Sequence, residues 1–416
     1  MAIGVGENTA KLKNDLALAN LERLAQHEPP SPPDGLPGGP PIWDRCNVAL
    51  DLLERWRAAN EGNISQAIDA QVFGGKGPIS WPVAFLPFME SIAMYLRDFS
   101  LLLQAWQTYR HHKQNNSLHQ GRDQALQLYH AAYNPIQQLA QSMGLEFFVL
   151  CDLIHAAPEG HPLWDGPYCG AFVSTEAQKT NPFAGIAFKG TNPLSLAQVL
   201  VDYNYQLTKA NGFLQNQEVS LGVYTSMFDK YEANEDIAYD YILAAFKGCV
   251  DKIPTTGGPV RTHVTGHSLG GSYSSFCYAQ MLIDAAKLVP ENIQMGDEYT
   301  FGCPRVGSND WAAMNQDIVS MNEGQSWRIV NDKDLVPQVP PTTLKPDQLN
   351  FRHVDNGWRI FSHQSPQSIP SEIGGPTPPV YQLKDWEEIL KAVYQSTYHL
   401  PNFYYDALRY AMKQTQ

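Results

Sequence analysis

The chain of 416 residues is longer than an average single domain, and its 43% hydrophobic and 17% charged residues are typical of a globular protein with a sizeable core. Its formal net charge of −13 argues against binding to nucleic acid, which attracts basic surfaces, and weakly against strong docking on anionic membranes. The six cysteines lack the spacing of a zinc site or a disulfide framework, and they leave open one bridge, for example between Cys151 and Cys169.

The N-terminal third of the chain is predicted to be mostly helical, since leucines and aromatic residues recur there at helical spacing. The predicted helices cover residues 8–26, 43–59, 88–112 and 122–133, the last ending before Pro135. Residues 29–41 hold seven prolines and three glycines and predict a linker or an extended strap. We therefore expect residues 1–143 to form a helical region without recognisable chemistry, in which His111 and His112 are solvated helix-end residues.

Neither a signal peptide nor a membrane span is predicted. Residues 1–28 carry charges throughout, and the most apolar stretch, residues 79–106, is interrupted by Glu90, Arg97 and Asp98. This pattern favours a soluble protein that stays in the cytoplasm or leaves the cell by a non-classical route.

From residue 144 onwards short β-type runs alternate with helical segments. The predicted strands are residues 147–154, 170–174, 185–188, 261–265, 298–301 and 326–330. The predicted helices are residues 196–205, 223–247 and 268–288, and residues 364–380 are expected to form a surface loop. This alternation predicts that residues 144–416 form an α/β domain with a largely parallel sheet.

The most informative motif is Gly266-His267-Ser268-Leu269-Gly270, which lies between a predicted strand and a predicted helix. A serine framed by glycines at such a turn is the layout of a nucleophile elbow, in which the next backbone N–H, that of Leu269, can bind an oxyanion. The alternative is a turn of small residues where a helix packs tightly on a strand. The strand and helix on either side favour acyl transfer through Ser268.

A nucleophilic serine needs a histidine base and an acid that orients it, and in elbow-type hydrolases the acid precedes the histidine in the chain. Asp332 and Asp334 follow the strand predicted at residues 326–330, and the local pattern fits either an orienting acid or a turn-stabilising aspartate at both positions. Three histidines lie downstream. His353 lies in a probable strand and His363 beside the proline-rich loop, whereas His399 precedes the last helix, a position that suits a catalytic base. His267 is discounted because its side chain should point away from the exposed serine.

Several sequence blocks resemble the class 3 lipase family, the fungal-type triacylglycerol lipases of the α/β-hydrolase fold. The blocks are Ala187-Phe188-Lys189-Gly190-Thr191, similar to F-R-G-[ST]; Leu221-Gly222-Val223-Tyr224, loosely similar to H-x-G-F; residues 266–271; residues 300–307, which match T-F-G-x-P-R-V-G; and residues 334–341. The resemblance covers about residues 145–410. Lys189 replaces the usual arginine and Leu221 the usual histidine.

The resemblance implies an α/β-hydrolase fold, a mostly parallel central sheet flanked by helices, extended here by the helical N-terminal region. It places the nucleophile at Ser268, the orienting acid at Asp334 and the base at His399, with Thr191 and Leu269 forming the oxyanion hole and no cofactor or metal. Residues 192–206 would form a lid, whose apolar side chains that meet the substrate include Leu194, Leu196, Val199 and Leu200.

The expected activity is hydrolysis of lipid esters, most simply triacylglycerol, at an oil–water interface. Phospholipase A1, galactolipase and feruloyl esterase activity are alternatives on the same scaffold, and a non-catalytic lipid-binding scaffold is an alternative of a different class. The apolar residues 85–106 are expected to cover or extend the acyl groove. Many members of the family are secreted, which leaves the compartment open.

Overall fold

The computed structural model describes residues 3–29, 46–155, 164–190, 206–230, 236–289, 292–340, 351–375 and 397–414. The proline-rich segment, apart from Pro29, and the helix predicted at residues 196–205 lie outside this part of the chain. None of the described helices is both long and apolar enough to cross a membrane.

Six helices precede the first strand among the described residues: α1 (Ile3–Leu24), α2 (Cys46–Ala59), α3 (Glu61–Asp69), α4 (Trp81–Ala93), α5 (Phe99–Gln114) and α6 (Leu118–Ser142). The single helix predicted over residues 88–112 is wrong, because α4 ends at Ala93 and α5 begins at Phe99. Asp98 caps α5 by accepting a hydrogen bond from Leu101 N at 3.0 Å. The predicted stop before Pro135 is also wrong. Helix α6 continues through Pro135, since its packing along α5 and β1 offsets the lost backbone hydrogen bond.

Eight strands form the central sheet, in the order β1-β2-β3-β6-β7-β8-β9-β10. Their bounds are β1 Leu145–His155, β2 Trp164–Ser174, β3 Phe183–Phe188, β6 Val260–His267, β7 Ile293–Phe301, β8 Ser326–Asn331, β9 Gly357–Ile360 and β10 Gln367–Ile369. The neighbours from β3 to β9 pair in parallel, whereas the strands at both edges pair antiparallel. A separate two-stranded sheet joins β4 (Leu207–Lys209) to β5 (Glu218–Ser220). The predicted α/β fold with a mostly parallel central sheet is confirmed.

In the described part of the chain, six helices follow the third strand: α7 (Leu221–Phe228), α8 (Ala238–Val250), α9 (Leu269–Ile283), α10 (Ala285–Leu288), α11 (Asn309–Ser320) and α12 (Pro401–Lys413). The continuous helix predicted at residues 223–247 is wrong, because α7 ends at Phe228 and α8 begins ten residues later. The strand predicted around His353 is an isolated bridge at Arg352, and the loop predicted from residue 364 contains β10.

The N-terminal helices form one of the two layers that cover the sheet. All thirteen residues of α4 are buried, and the helix packs on β3, β6 and β7. Phe88 meets Phe301 with ring centroids 5.3 Å apart, and Trp56 of α2 stacks on Tyr405 of α12 at 4.1 Å. Helices α8, α9 and α11 bury a second core against the opposite face. The apolar α4 therefore covers one face of the sheet and shields its aromatic side chains from water.

Buried polar contacts fix α4 on the sheet. His263 Nε2 of β6 lies 2.5 Å from Glu90 Oε2, and both side chains are fully buried. The Thr265 hydroxyl lies 3.1 Å from Pro87 O and 2.9 Å from Tyr299 O. Because buried polar groups that lose a partner are costly, these contacts specify how the helix sits on the strands.

Five cysteines are buried free thiols: Cys151, Cys169, Cys249, Cys277 and Cys303. Cys151 and Cys169 face each other across β1 and β2, and both are buried free thiols. The bridge left open by the sequence is therefore absent from the structure.

Glu298 makes the stability of the fold depend on pH. Burial raises its pKa from 4.5 to about 7, although Ser326 Oγ donates to Oε2 at 2.6 Å and Ser274 Oγ to Oε1 at 3.2 Å. Between these pH values the folded protein keeps a proton that the unfolded chain releases, so the free energy of unfolding falls as pH rises. We expect this one group to lower it by about 3 kcal/mol between pH 4.5 and pH 8.

Glu298→Gln should remove that contribution, since the amide does not titrate. Urea unfolding at several pH values should give a smaller decrease in the free energy of unfolding for the variant than for the parent protein. Equal pH slopes for the two proteins would contradict the prediction.

Candidate active site

Ser268 lies at a sharp turn between β6 and α9. Its backbone has φ 60° and ψ −131°, an uncommon conformation for a residue with a side chain, and its N–H donates to Phe301 O at 2.8 Å. Strain of this kind costs on the order of 1–3 kcal/mol and is found mainly at functional sites. The turn ends the strand at His267 and begins the helix at Leu269, as the sequence motif predicts.

Two glycines make the turn sterically possible. A Cβ on Gly266 would lie 2.2 Å from the backbone of Gly270, and a Cβ on Gly270 would lie 2.4 Å from Phe188 O. No side chain fits at either position, so the helix can start directly beside β3. The glycines of the motif are therefore required by the close approach of three backbone segments.

The structure brings Asp334 and His399 together. Asp334 follows β8, and His399 ends the 3₁₀ helix Thr397–His399 that precedes α12. His399 Nδ1 lies 2.9 Å from Asp334 Oδ2, both side chains are buried, and Val336 N donates to Asp334 Oδ1 at 3.0 Å. An ionised aspartate only accepts, so we assign the proton of neutral His399 to Nδ1, which leaves Nε2 as an acceptor.

Ser268 Oγ and His399 Nε2 are both buried, and neither has a hydrogen-bond partner within the described part of the chain. The two residues lie close together, because the ring of His267, which directly precedes Ser268, stacks on that of His399 at 4.7 Å. Catalytic hydrogen bonds are often long in the absence of substrate and tighten when it binds. An unpaired hydroxyl beside an unpaired imidazole nitrogen is an arrangement suited to nucleophilic catalysis.

Tyr404 is a part of the site that sequence reasoning missed. Its hydroxyl donates to Asp334 Oδ2 at 2.6 Å, and burial together with the charge of Asp334 raises the pKa of Tyr404 well above its ordinary value. The tyrosine therefore remains a proton donor to the carboxylate. A Cβ on Gly302, which has φ +63°, would lie within 3.0 Å of Tyr404 Oη, Asp334 Oδ2 and His399 Cε1, so glycine is required here.

The other candidate residues have different surroundings. His353 is buried, its Nε2 lies 2.6 Å from Pro337 O, and burial holds its pKa well below the ordinary value. The neutral His353 therefore donates a hydrogen bond to Pro337 O and so supports the loop after Asp334. His363 is exposed, and Asp332 is a half-buried turn residue with φ 34°.

A salt bridge also fixes the loop after Asp334. Arg305 forms two hydrogen bonds of 2.9 Å with the carboxylate of Glu372, and its Nη1 donates to Gln338 O at 2.5 Å and to Pro340 O at 3.0 Å. Burial alone would raise the pKa of Glu372, but the hydrogen bonds and charge of Arg305, with Arg328 nearby, hold it far below its usual range. The loop that carries Asp334 is thus anchored by a charged, largely buried pair.

His267, which the sequence analysis discounted as a base, contacts the backbone of His399 through its side chain. Its Nε2 lies 3.0 Å from His399 O, and its Nδ1 lies 2.9 Å from the hydroxyl of Tyr95. Burial and the neighbouring His399 lower the pKa of His267 well below its ordinary value. His267 is therefore a neutral residue that contacts the backbone of His399.

The oxyanion region is described only in part. Leu269 directly follows Ser268, and a Cβ on Gly190 would lie 3.0 Å from Ser268 Cβ, which places the end of the Lys189-Gly190 block beside the serine. Thr191 and the lid residues Leu194, Leu196, Val199 and Leu200 lie outside the described residues. Within the described ranges no group of three or more histidine, cysteine or acidic side chains could hold a metal ion.

The central part of the chain is similar to a known protein family. Residues 185–344 match the model of the family described as "Lipase (class 3)". The chain is 25% identical over 196 residues to triacylglycerol lipase OBL1 of Ricinus communis, covering 41% of this chain and 37% of that protein. It is 33% identical over 116 residues to secreted mono- and diacylglycerol lipase 1 of Fusarium solani, covering 28% and 30%. The alignments thus span about a third of the length of these relatives.

Solved lipase structures are also similar to the chain. The Rhizomucor miehei lipase propeptide complex is 23% identical, with 54% of this chain and 58% of that chain covered and a TM-score of 0.34. Lipase II from Rhizopus niveus is 20% identical, with 55% and 69% covered and a TM-score of 0.34.

Proposed function

We propose that the chain hydrolyses lipid esters through Ser268, His399 and Asp334, because residues 185–344 match the model of the class 3 lipase family. The observation that supports this most strongly is the buried pair of Asp334 and His399, whose unpaired Nε2 lies close to the unpaired hydroxyl of Ser268. The substrate class follows from the named activities of the relatives, which act on acylglycerols. Triacylglycerol is the simplest substrate of that class.

The reaction uses the three side chains in turn. Ser268 Oγ attacks the ester carbonyl carbon as its proton passes to His399 Nε2, and Asp334 stabilises the imidazolium that forms. The backbone N–H groups of Leu269 and Thr191 bind the tetrahedral oxyanion. The intermediate expels the alcohol, which takes the proton from His399 and leaves an acyl group on Ser268. Water then attacks this acyl-enzyme by the same steps, releases the fatty acid and restores the serine.

The buried surroundings of Asp334 are suited to its role. Its carboxylate accepts hydrogen bonds from His399, Tyr404 and the backbone of Val336. These bonds hold the carboxylate in place beside His399. A fixed negative charge next to Nδ1 favours the imidazolium that develops during the attack, since electrostatic stabilisation is stronger away from water.

The test is hydrolysis of p-nitrophenyl esters from acetate to palmitate, combined with labelling by a fluorophosphonate that reacts with activated serines. We expect turnover of the long-chain esters, preferably above the concentration at which the substrate forms droplets, and a fluorophosphonate adduct on Ser268 by mass spectrometry. Turnover confined to acetate or to aromatic esters would indicate an esterase and not a lipase. A folded protein with neither turnover nor adduct would overturn the proposal and favour a non-catalytic lipid-binding scaffold.

A further inference from the structure

Tyr95 belongs to the N-terminal helical layer but reaches the catalytic site. It lies in the 3₁₀ helix Met94–Leu96, directly after α4, and is 5% exposed. Its hydroxyl lies 2.9 Å from Nδ1 of His267, 172 residues later in the chain. A Cβ on Gly190 would lie 2.2 Å from the same hydroxyl, so Tyr95 also borders the oxyanion block.

The direction of each hydrogen bond in this contact can be deduced. His267 Nε2 lies 3.0 Å from the carbonyl oxygen of His399, which can only accept, so Nε2 carries a proton. A neutral imidazole carries only one N–H, and burial keeps His267 neutral by lowering its pKa. Nδ1 is therefore an acceptor, and Tyr95 must donate to it.

We propose that Tyr95 and His267 are positioning residues that hold the backbone of His399, and with it the catalytic imidazole, in the reactive orientation. This inference rests on the proposed ester hydrolysis. Tyr95 selects the tautomer of His267, and that tautomer donates to His399 O. Without the tyrosine proton the other tautomer becomes available, and it would direct the lone pair of Nε2 at the lone pairs of the carbonyl oxygen.

The stacking of the two rings gives His267 a second effect. Its ring lies against that of His399 with centroids 4.7 Å apart and an interplanar angle of 29°. A neutral ring there packs against the imidazolium that forms during catalysis without repelling it, whereas a charged ring would oppose it. The hydrogen bond from Tyr95 occupies Nδ1, the position where a second proton would bind.

The experiment compares Tyr95→Phe, His267→Leu and His267→Gln with the parent protein, using p-nitrophenyl esters. We expect kcat to fall about tenfold in Tyr95→Phe and about a hundredfold in His267→Leu at nearly constant KM, because small displacements of a catalytic group have effects of this size. His267→Gln should recover much of the activity lost in His267→Leu, since its amide can still donate towards His399 O. Rates are normalised to the folded fraction measured by circular dichroism.

Tyr278→Phe is the matched control. It removes another buried tyrosine hydroxyl, which donates to Gly296 O at 2.9 Å away from the catalytic residues. This variant should lose stability as Tyr95→Phe does but keep its kcat. An unchanged kcat in Tyr95→Phe, or an equal loss in Tyr278→Phe, would overturn the inference.

Nitrogen NMR of His267 separates this inference from the proposed function. The ring should show a proton on Nε2 in the parent protein and a mixture of tautomers in Tyr95→Phe, whether or not the protein hydrolyses esters. An inactive parent protein with the expected tautomer would contradict only the proposed hydrolysis. A proton on Nδ1 of His267 in the parent protein would overturn the positioning role directly.

Discussion

Ser268→Ala is expected to reduce ester hydrolysis by about a millionfold, the size of effect seen when the nucleophile of a serine hydrolase triad is removed. In the proposed mechanism Ser268 Oγ forms the acyl bond, and the neighbouring His399 does not replace it in that step. The measurement is the initial rate with p-nitrophenyl esters at saturating concentration. Substantial remaining hydrolysis in a purified, folded variant would contradict the role of Ser268.

The same substitution should not lower stability. Ser268 Oγ is buried and has no hydrogen-bond partner in the described part of the chain, so its removal relieves an unsatisfied polar group. We expect the free energy of unfolding to rise by about 1 kcal/mol. Ser274→Ala, on the helix that follows Ser268, is the control. It removes a hydrogen bond to Glu298 of β7, so it should lower the free energy of unfolding and preserve activity.

Deletion of residues 1–143 is expected to abolish soluble folded protein. The deleted helices cover one face of the sheet, and their loss would expose aromatic side chains that are now buried: Phe147, Phe172, Phe183, Phe301 and Trp327. An apolar surface of this extent favours aggregation. The measurement is the yield of soluble protein and its near-ultraviolet circular dichroism, and a soluble active fragment of residues 144–416 would contradict the prediction.

A point substitution tests the same layer without truncation. Phe88→Ala should lower the free energy of unfolding by about 3–5 kcal/mol, because Phe88 of α4 is fully buried against Phe301 of β7. Val48→Ala is the control, since Val48 is 43% exposed on α2 and its loss should change stability by less than about 0.5 kcal/mol. Equal effects of the two substitutions would mean that α4 does not stabilise the sheet.

The predictions from sequence succeeded where a local pattern reflects a local steric requirement. The elbow around Ser268 is such a case, because the glycines and the strand–helix junction follow from contacts within a few residues. The central strands were also found, since each is a buried apolar run. Strands β9 and β10 were missed because they have four and three residues, and only their pairing with neighbours defines them.

The surroundings of the proposed catalytic residues could not be predicted, because they depend on contacts between distant parts of the chain. Tyr404 meets Asp334 across 70 residues, and Tyr95 meets His267 across 172. No local pattern distinguishes these tyrosines from ordinary core residues. The contact between His267 and His399 could not be predicted for the same reason, because the two residues are 132 positions apart.

The burial of α4 has a consequence for synthesis of the protein on the ribosome. The helix emerges early, whereas β7, the last of the strands on which it packs, is completed at Phe301. At ordinary rates of translation, the intervening two hundred or so residues take about 10–40 seconds to appear. During that interval the apolar surface of α4 has no sheet to cover, so the nascent chain should depend on chaperones until β6 and β7 have been made.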